Sequence, residues 1–186
     1  ILLIVIAALK AVKIKAKENT SAPAINPTKE EADDYAEKLS KMVQVPTISL
    51  RGNTDLTEFY KLHKVMEENF PLIFSKLEKT EIEGNLLFRW RGKDSSRNGL
   101  LLMGHQDVVT ADEPNWKKDP FSGEICDGNI HGRGAMDCKS TVFSEFQAIE
   151  ELLAETEELG AVLSILTLNE VDEALLQFPN LSHALK

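Results

Sequence analysis

The chain has 186 residues, 42% hydrophobic and 27% charged, which are the proportions of an ordinary globular domain or of part of a larger one. It carries 21 lysine and arginine residues against 30 aspartate and glutamate residues, giving a formal net charge of −9. This balance argues against non-specific nucleic-acid binding, which depends on clustered basic side chains.

The first 17 residues predict a signal sequence or a signal anchor whose front is truncated, and an anchor would tether the protein to a membrane. The run ILLIVIAAL is apolar without interruption, and the lysines of KAVKIKAK follow it. An apolar run of about 9–12 residues is too short for a membrane span, which needs about 20, but it suits the core of a signal sequence. A buried strand or helix is the alternative. Residues 18–28, with two prolines among small polar residues, predict a linker.

Two amphipathic helices are predicted after the linker. Thr28 and Glu31 have the spacing of a capping box, and apolar side chains recur at helical spacing as far as Val43, before Pro46 ends the helix. The second helix has its apolar stripe between residues 56 and 70. His63 lies on that stripe, so we expect it to be packed and not to bind a metal.

The pattern then changes to strands alternating with a helix. Strands are predicted at EKTEIE, NLLFRWRG, GLLLMGH (residues 99–105) and AVLSILTL (residues 161–168), the third apolar on both faces like a central strand. Asp127-Gly128 predicts a tight hairpin. A helix from about Ser140 carries six side chains expected to point inward, namely Val142, Phe143, Phe146, Ile149, Leu152 and Leu153. This alternation indicates an α/β sandwich.

Candidate catalytic chemistry begins where GLLLMGH ends. His105 and Asp107 alternate across Gln106, so an extended chain places both on one face. A carboxylate beside a histidine fixes the ring's tautomer and raises its basicity, as it does for metal-bound imidazoles. Asp137 follows the glycine-flanked Arg133 and precedes a helix, where it is either a metal ligand or an N-cap. A hydrogen-bonded surface pair is the alternative for His105 and Asp107.

The combined motifs are specific where each alone is weak. LLLMGHQDVVT, Trp116, DPFSG, the Asp127-Gly128 turn and GRGAMDCKS occur in this order within residues 29–155. They resemble the zinc-dependent exopeptidases of the carboxypeptidase S, aminoacylase and succinyl-diaminopimelate desuccinylase family, and its carboxypeptidase S branch most. The resemblance implies a three-layer α/β/α sandwich in which residues 29–186 form the N-terminal portion of the catalytic domain, without the family's lid domain.

The same resemblance implies roles for individual residues. His105 would bind one zinc ion, Asp107 would orient His105, and Asp137 would bridge two zinc ions. The substrate would be a short peptide or an N-acyl amino acid, cleaved at an amide near a free carboxylate. An N-terminal anchor suits the carboxypeptidase S branch and predicts the secretory pathway, with the lumen of a vacuole or lysosome as destination.

The sequence departs from the family after the bridging aspartate. The family has a Glu-Glu pair at the end of its next core strand, whereas TLNEVDEALLQ offers Glu170, Asp172 and Glu173 without such a pair. Three hypotheses stay open: a fragment of a peptidase that is inactive alone, an inactive binding module, and a short hydrolase that recruits Glu170 or Glu173 or takes ligands from a partner. A membrane-tethered interaction protein is a fourth. Cys126 and Cys138 allow either a disulfide or free thiols, and contact between Cys138 and metal is open.

Overall fold

The computed structural model describes residues 26–50, 55–94, 96–111, 114, 116–156, 159–160 and 162–168. The predicted signal segment at residues 1–17, most of the predicted linker, and Glu170, Asp172 and Glu173 lie outside this part of the chain, so those assignments stay predictions. Among the described residues, none of the helices has both the length and the apolar character that a membrane crossing requires.

The N-terminal part of the described chain forms three helices, which contribute side chains to the same hydrophobic core. Helix α1 spans Lys29–Val43 and starts at the predicted capping box, where Thr28 Oγ1 accepts from the Glu31 N–H at 3.2 Å and Glu31 Oε2 accepts from the Thr28 N–H at 2.7 Å. Helix α2 spans Thr57–Asn69, as predicted. A third helix, α3, covers Pro71–Lys76 and was not predicted. Its proline occupies the first turn, where a missing N–H costs nothing.

The remaining elements form one mixed sheet, one hairpin and one long helix. In chain order they are β1 (Glu78–Ile82), β2 (Asn85–Trp90), β3 (Leu100–His105), β4 (Ile125–Cys126), β5 (Asn129–Ile130), α4 (Ser140–Glu155) and β6 (Leu163–Leu168). The sheet has the order β1-β2-β6-β3, in which β3 runs parallel to β6 and the other neighbours are antiparallel. Asp127 and Gly128 have positive φ angles in the turn between β4 and β5, which confirms the predicted hairpin.

The main core lies between the helices and one face of the sheet. Its buried aromatic side chains include Phe70, Phe88 and Phe146, with ring centroids of Phe88 and Phe146 5.7 Å apart. The opposite face carries a smaller cluster of Leu87, Leu166 and Leu168. The α/β class is confirmed, and the described helices form one of the two predicted helical layers.

Two predictions about burial were wrong. The apolar run GLLLMGH predicted a central strand, but β3 is at the edge of the sheet within the described part of the chain, and Leu100 and Met103 are about half exposed at 54% and 49%. The strand pairs with β6 alone, so one side of its backbone has no neighbouring strand there. Leu152 of α4 was expected to point inward but is 40% exposed, because it lies beside the stripe that Ile149 and Leu153 bury.

Candidate metal site

His105 is the last residue of β3, and the chain beyond it is held in place by the loop after α1. Val108 forms a parallel bridge with Ile48, and its N–H donates to the carbonyl of Thr47 at 2.8 Å. The Thr47 hydroxyl donates to the carbonyl of Gln106 at 2.6 Å. These bonds keep residues 105–108 extended, so that His105 and Asp107 project to the same side.

The ring of His105 lies between the two carboxylates that the sequence singled out. Its Nδ1 is 3.1 Å from the carbonyl oxygen and 3.2 Å from Oδ1 of Asp107. Its Nε2 is 3.0 Å from Oδ1 of Asp137. The structure therefore brings His105, Asp107 and Asp137 together, although their roles in binding and catalysis stay predictions.

Asp137 reaches this position from a wide helical turn over Ala135–Lys139, in which Asp137 and Cys138 have non-helical backbone angles. Gly134 opens the turn with φ of 82°, and a Cβ there would lie 2.4 Å from Val108 Cγ1. A side chain would thus be excluded both by the backbone angle and by the close approach to the HQDV segment. The predicted N-cap role for Asp137 has no support in the described geometry, because α4 has no side-chain cap.

Charge around the ring favours a cation at Nε2. Burial acts against protonation of His105, but the hydrogen bond to Asp137 and the negative charge of Asp107 outweigh it and raise the pKa of the ring. Since the Asp107 carbonyl can only accept, Nδ1 carries a hydrogen. In the neutral ring, the Nε2 lone pair then faces a carboxylate oxygen at 3.0 Å. Such a pair repels unless a proton or a metal ion lies between its members.

The donor set fits a zinc ion. Zinc binds imidazole nitrogen and carboxylate oxygen at about 2.0–2.2 Å, a length that lets one ion contact both Nε2 and Oδ1 across the observed gap. The Asp137 side chain is 91% exposed, which leaves its other oxygen accessible to a second ion. His105, Asp137 and Cys138 form a group whose ligand atoms lie within 4.8 Å of one another.

Cys138 and Cys126 are both free thiols. Burial raises the pKa of the Cys138 thiol, a hydrogen bond from the His105 main chain acts in the opposite direction, and the charge of Asp137 adds to the rise. Cys138 Sγ contacts the main chain of His105.

Two buried polar residues near the site, Gln106 and Lys139, were not singled out from the sequence. Gln106 is fully buried, with its Oε1 3.1 Å from His63 Nε2 and its amide nitrogen donating to the carbonyl of Gly84. Burial is the main cause that lowers the pKa of His63, which is packed as predicted. Lys139 is also fully buried and donates to the carbonyls of Met42 and Val45. The only sequence signal for these residues was their position inside the HQD and DCK motifs.

Residues 101–173 match the family model for peptidase family M20/M25/M40. Carboxypeptidase S of Saccharomyces cerevisiae is 41% identical over 131 residues, which cover 63% of this chain and 23% of that protein. The chain carries a peptidase family M20 domain. A human N-fatty-acyl-amino acid synthase/hydrolase, PM20D1, is 40% identical to it over 131 residues, 68% of this chain and 26% of that protein. The chain therefore spans about a quarter of the length of these curated relatives.

Among solved structures, the M20 domain resembles the M20 family metallo-carboxypeptidase Sso-CP2 from Sulfolobus solfataricus. The TM-score is 0.65 at 24% identity, and the match covers 82% of this chain and 35% of that one. At this level of identity the likeness establishes the fold. The predicted family resemblance is confirmed.

Proposed function

We propose that this chain contributes His105, Asp107 and Asp137 to the active site of a carboxypeptidase S-like metallo-exopeptidase, which hydrolyses amide bonds of short peptides with two zinc ions. The observation that carries the proposal is the 3.0 Å approach of His105 Nε2 to Asp137 Oδ1, with Nδ1 held on its other side by Asp107. The M20 family match and the relative named carboxypeptidase S support the reaction class.

Each of the three residues has a separate task. His105 offers the Nε2 lone pair, because the Asp107 carbonyl holds the hydrogen on Nδ1. The Asp107 carboxylate, 3.2 Å from Nδ1, raises the basicity of the ring and fixes its orientation. Asp137 has one oxygen at His105 and an exposed second oxygen, as a bridging ligand requires. Two bound zinc ions would polarise the scissile carbonyl and lower the pKa of the attacking water.

The described residues supply only part of a catalytic site. A catalytic zinc site uses three protein ligands and a water molecule, whereas His105 and Asp137 give two. Glu170, Asp172 and Glu173 are the acidic candidates for the missing ligand and general base, because they occupy the window in which the family has its Glu-Glu pair. We expect zinc binding by this chain, and little or no hydrolysis unless one of these acids completes the site.

A second candidate activity is hydrolysis of N-acyl amino acids. It is favoured by the 40% identity to the human relative whose name describes N-fatty-acyl-amino acid synthesis and hydrolysis. Both reactions break an amide beside a free carboxylate, so the same zinc site serves either. An inactive, membrane-tethered binding module is the alternative if metal is not bound. A secretory or vacuolar location and an N-terminal anchor remain proposals that depend on residues 1–17.

The first test is zinc content per purified chain, measured by elemental mass spectrometry. The proposal expects bound zinc in the unchanged chain and its loss in His105→Ala and Asp137→Asn. His131→Ala is a matched control, since His131 is a half-buried histidine outside the group of candidate ligands. Zinc content near zero in the unchanged chain, or equal content in His105→Ala, contradicts the proposal. Rates with dipeptides and with N-acyl amino acids then separate the two candidate activities.

A further inference from the structure

The outer edge of β3 has main-chain groups that no strand of the described part of the chain binds. The Leu100 N–H donates to Val162 and the Gln106 N–H donates to Leu168, both at 2.9 Å, so these groups face β6. Main-chain groups of a strand alternate in direction, so the N–H groups of Met103 and His105 face away from β6. An edge of this kind normally presents unpaired donors and acceptors to solvent or to another strand.

At His105 this edge is closed by the side chain of Cys138. Sγ lies 3.1 Å from the His105 nitrogen and 3.2 Å from the His105 carbonyl oxygen. The sulfur therefore accepts from the N–H while its own S–H donates to the C=O. One thiol makes the two bonds that a residue of a neighbouring strand would make.

The same arrangement continues one step back along the strand. The Met103 N–H faces the side-chain carboxyl group of Glu145, which extends from α4. The two outward N–H groups nearest the candidate metal site therefore face side chains of one segment, residues 138–145. This segment follows Asp137 directly, so the chain that presents the carboxylate to the His105 ring also holds the strand that carries the ring.

We propose that Cys138 is a positioning residue that fixes the main chain of His105 for metal binding and is not itself a metal ligand. The part of this inference that concerns metal binding rests on the proposed function. The contact between Cys138 and the His105 main chain does not depend on it. Its sulfur already uses a donor and an acceptor on His105, and coordination would require it to give up the S–H bond to the carbonyl. Asp137 acts on the ring of the same histidine, so adjacent residues fix the side chain and the main chain together.

Replacement of the thiol separates positioning from packing. Cys138→Ser keeps one donor and one acceptor at this position, whereas Cys138→Ala removes both. We expect zinc affinity to fall about 10–100-fold in Cys138→Ala, as for other groups that orient a metal ligand, and to be largely retained in Cys138→Ser. Cys126→Ala is the matched control, because Cys126 is also a free cysteine, its thiol donates to the neighbouring Asp127, and it lies outside the group of candidate ligands. We expect its zinc affinity to equal that of the unchanged chain.

Cobalt loading distinguishes a positioning residue from a ligand. A thiolate bound to Co²⁺ gives a charge-transfer absorption that nitrogen and oxygen ligands do not give. We expect no such band in the Co²⁺-loaded chain. A band that disappears in Cys138→Ser would show direct coordination and overturn the proposal.

Amide hydrogen exchange in the metal-free chain tests the contact without reference to metal. We expect the His105 amide to exchange faster in Cys138→Ala and to recover protection in Cys138→Ser, with the amides of β6 unchanged as a fold control. Equal protection in all three proteins would overturn the proposal. If Cys138→Ala does not fold, a serine variant that exchanges like the unchanged chain supports it, and one that loses protection at His105 overturns it. Absence of zinc binding by the unchanged chain would defeat the proposed function while leaving the exchange result interpretable.

Discussion

The Nζ atom of Lys139 lies 2.6 Å from the carbonyl oxygen of Val45, so the turn that carries Asp137 is tied to the chain just after helix α1. A second bond, to the carbonyl of Met42, is 2.9 Å long. Three consecutive residues thus make three different attachments. Asp137 contacts the ring of His105, Cys138 contacts its main chain, and Lys139 joins both to the helical layer.

The first prediction concerns the pH dependence that buried Lys139 causes. Burial lowers the pKa of Lys139 from 10.5 to about 7, with the charge of Asp107 acting in the opposite direction. Between these values the unfolded chain binds a proton that the folded chain lacks, so stability rises with pH from about 7 upward. We expect Lys139→Met to lack this increase, which can reach about 1 kcal/mol per pH unit.

The measurement is the free energy of denaturant unfolding of both proteins at about pH 7 and about pH 9, where the difference between proteins removes the effect of other titrating groups. Parallel pH profiles for the unchanged chain and Lys139→Met would show that the amine does not titrate in this range.

The features of the fold that the sequence predicted well are those specified by neighbouring residues. The capping box at Thr28 and the hairpin turn at Asp127 each depend on residues within four positions of one another. Helix α3 was missed because its six residues are too few for a periodic pattern. Within the described part of the chain β3 lies at the edge of the sheet, and this position could not be predicted. Apolar side chains on both faces of a strand do not indicate how many strands pair with its backbone.

The second prediction is that Asp107→Asn weakens zinc binding and shifts its pH dependence. A proton and zinc compete for His105 Nε2, so affinity falls about tenfold per pH unit below the pKa of the ring. The charge of Asp107 raises that pKa, and its removal should move the decline to lower pH. We also expect a loss of about 10–100-fold in affinity at high pH, because the ring becomes less basic.

Zinc competition titrations over a pH series, with NMR titration of the His105 ring in the metal-free chain, check this result. In the metal-free chain, the pKa of His105 is raised above its ordinary value of 6.5, so protonation of the ring stabilises the fold. This stabilisation is fully present below pH 6.5 and is lost as the pH rises through the raised pKa. Asp34→Asn is the control, since Asp34 pairs with Lys38 on α1. An unshifted profile in Asp107→Asn would mean that its charge does not act on His105.

The third prediction concerns the buried amide inside the HQD motif. Gln106 accepts from His63 Nε2–H and donates to the Gly84 carbonyl, an assignment that follows because the carbonyl can only accept. Gln106→Leu leaves both groups without this partner, and we expect it to cost about 2–4 kcal/mol of unfolding free energy. Adding His63→Phe should recover part of this loss, because the buried imidazole is then absent. Unfolding measurements on the double-mutant cycle check the coupling, and strictly additive effects would contradict it.

The sequence predicted the candidate ligands His105 and Asp137 and their neighbour Asp107, but it did not predict the main-chain contact that holds His105 in place. His105 and Asp107 are two positions apart, so their shared face follows from strand geometry. Asp137 was found through motif order. The contact between Cys138 and the His105 main chain joins residues 33 positions apart and involves backbone groups, which leave no pattern in the sequence.

The fourth prediction is that Gly104 is required for α4 to lie against β3 at the metal site. A Cβ at this position would be 2.8 Å from Val142 Cγ2, closer than carbon atoms pack, and 3.5 Å from the Val142 nitrogen. Gly104→Ala should therefore force the strand and helix apart, at a cost of about 1–3 kcal/mol. Because the strain falls next to His105, zinc affinity should decline with stability.

Val142→Ala removes the methyl group that the new side chain would meet, so it provides a direct check. We expect the double variant Gly104→Ala, Val142→Ala to be more stable than the sum of the two single effects predicts, with a coupling of about 0.5–3 kcal/mol in denaturant unfolding. Recovery of zinc affinity in the double variant would tie the helix–strand distance to the geometry of His105. A Gly104→Ala chain as stable as the unchanged one would show that β3 and α4 can separate at that point without loss.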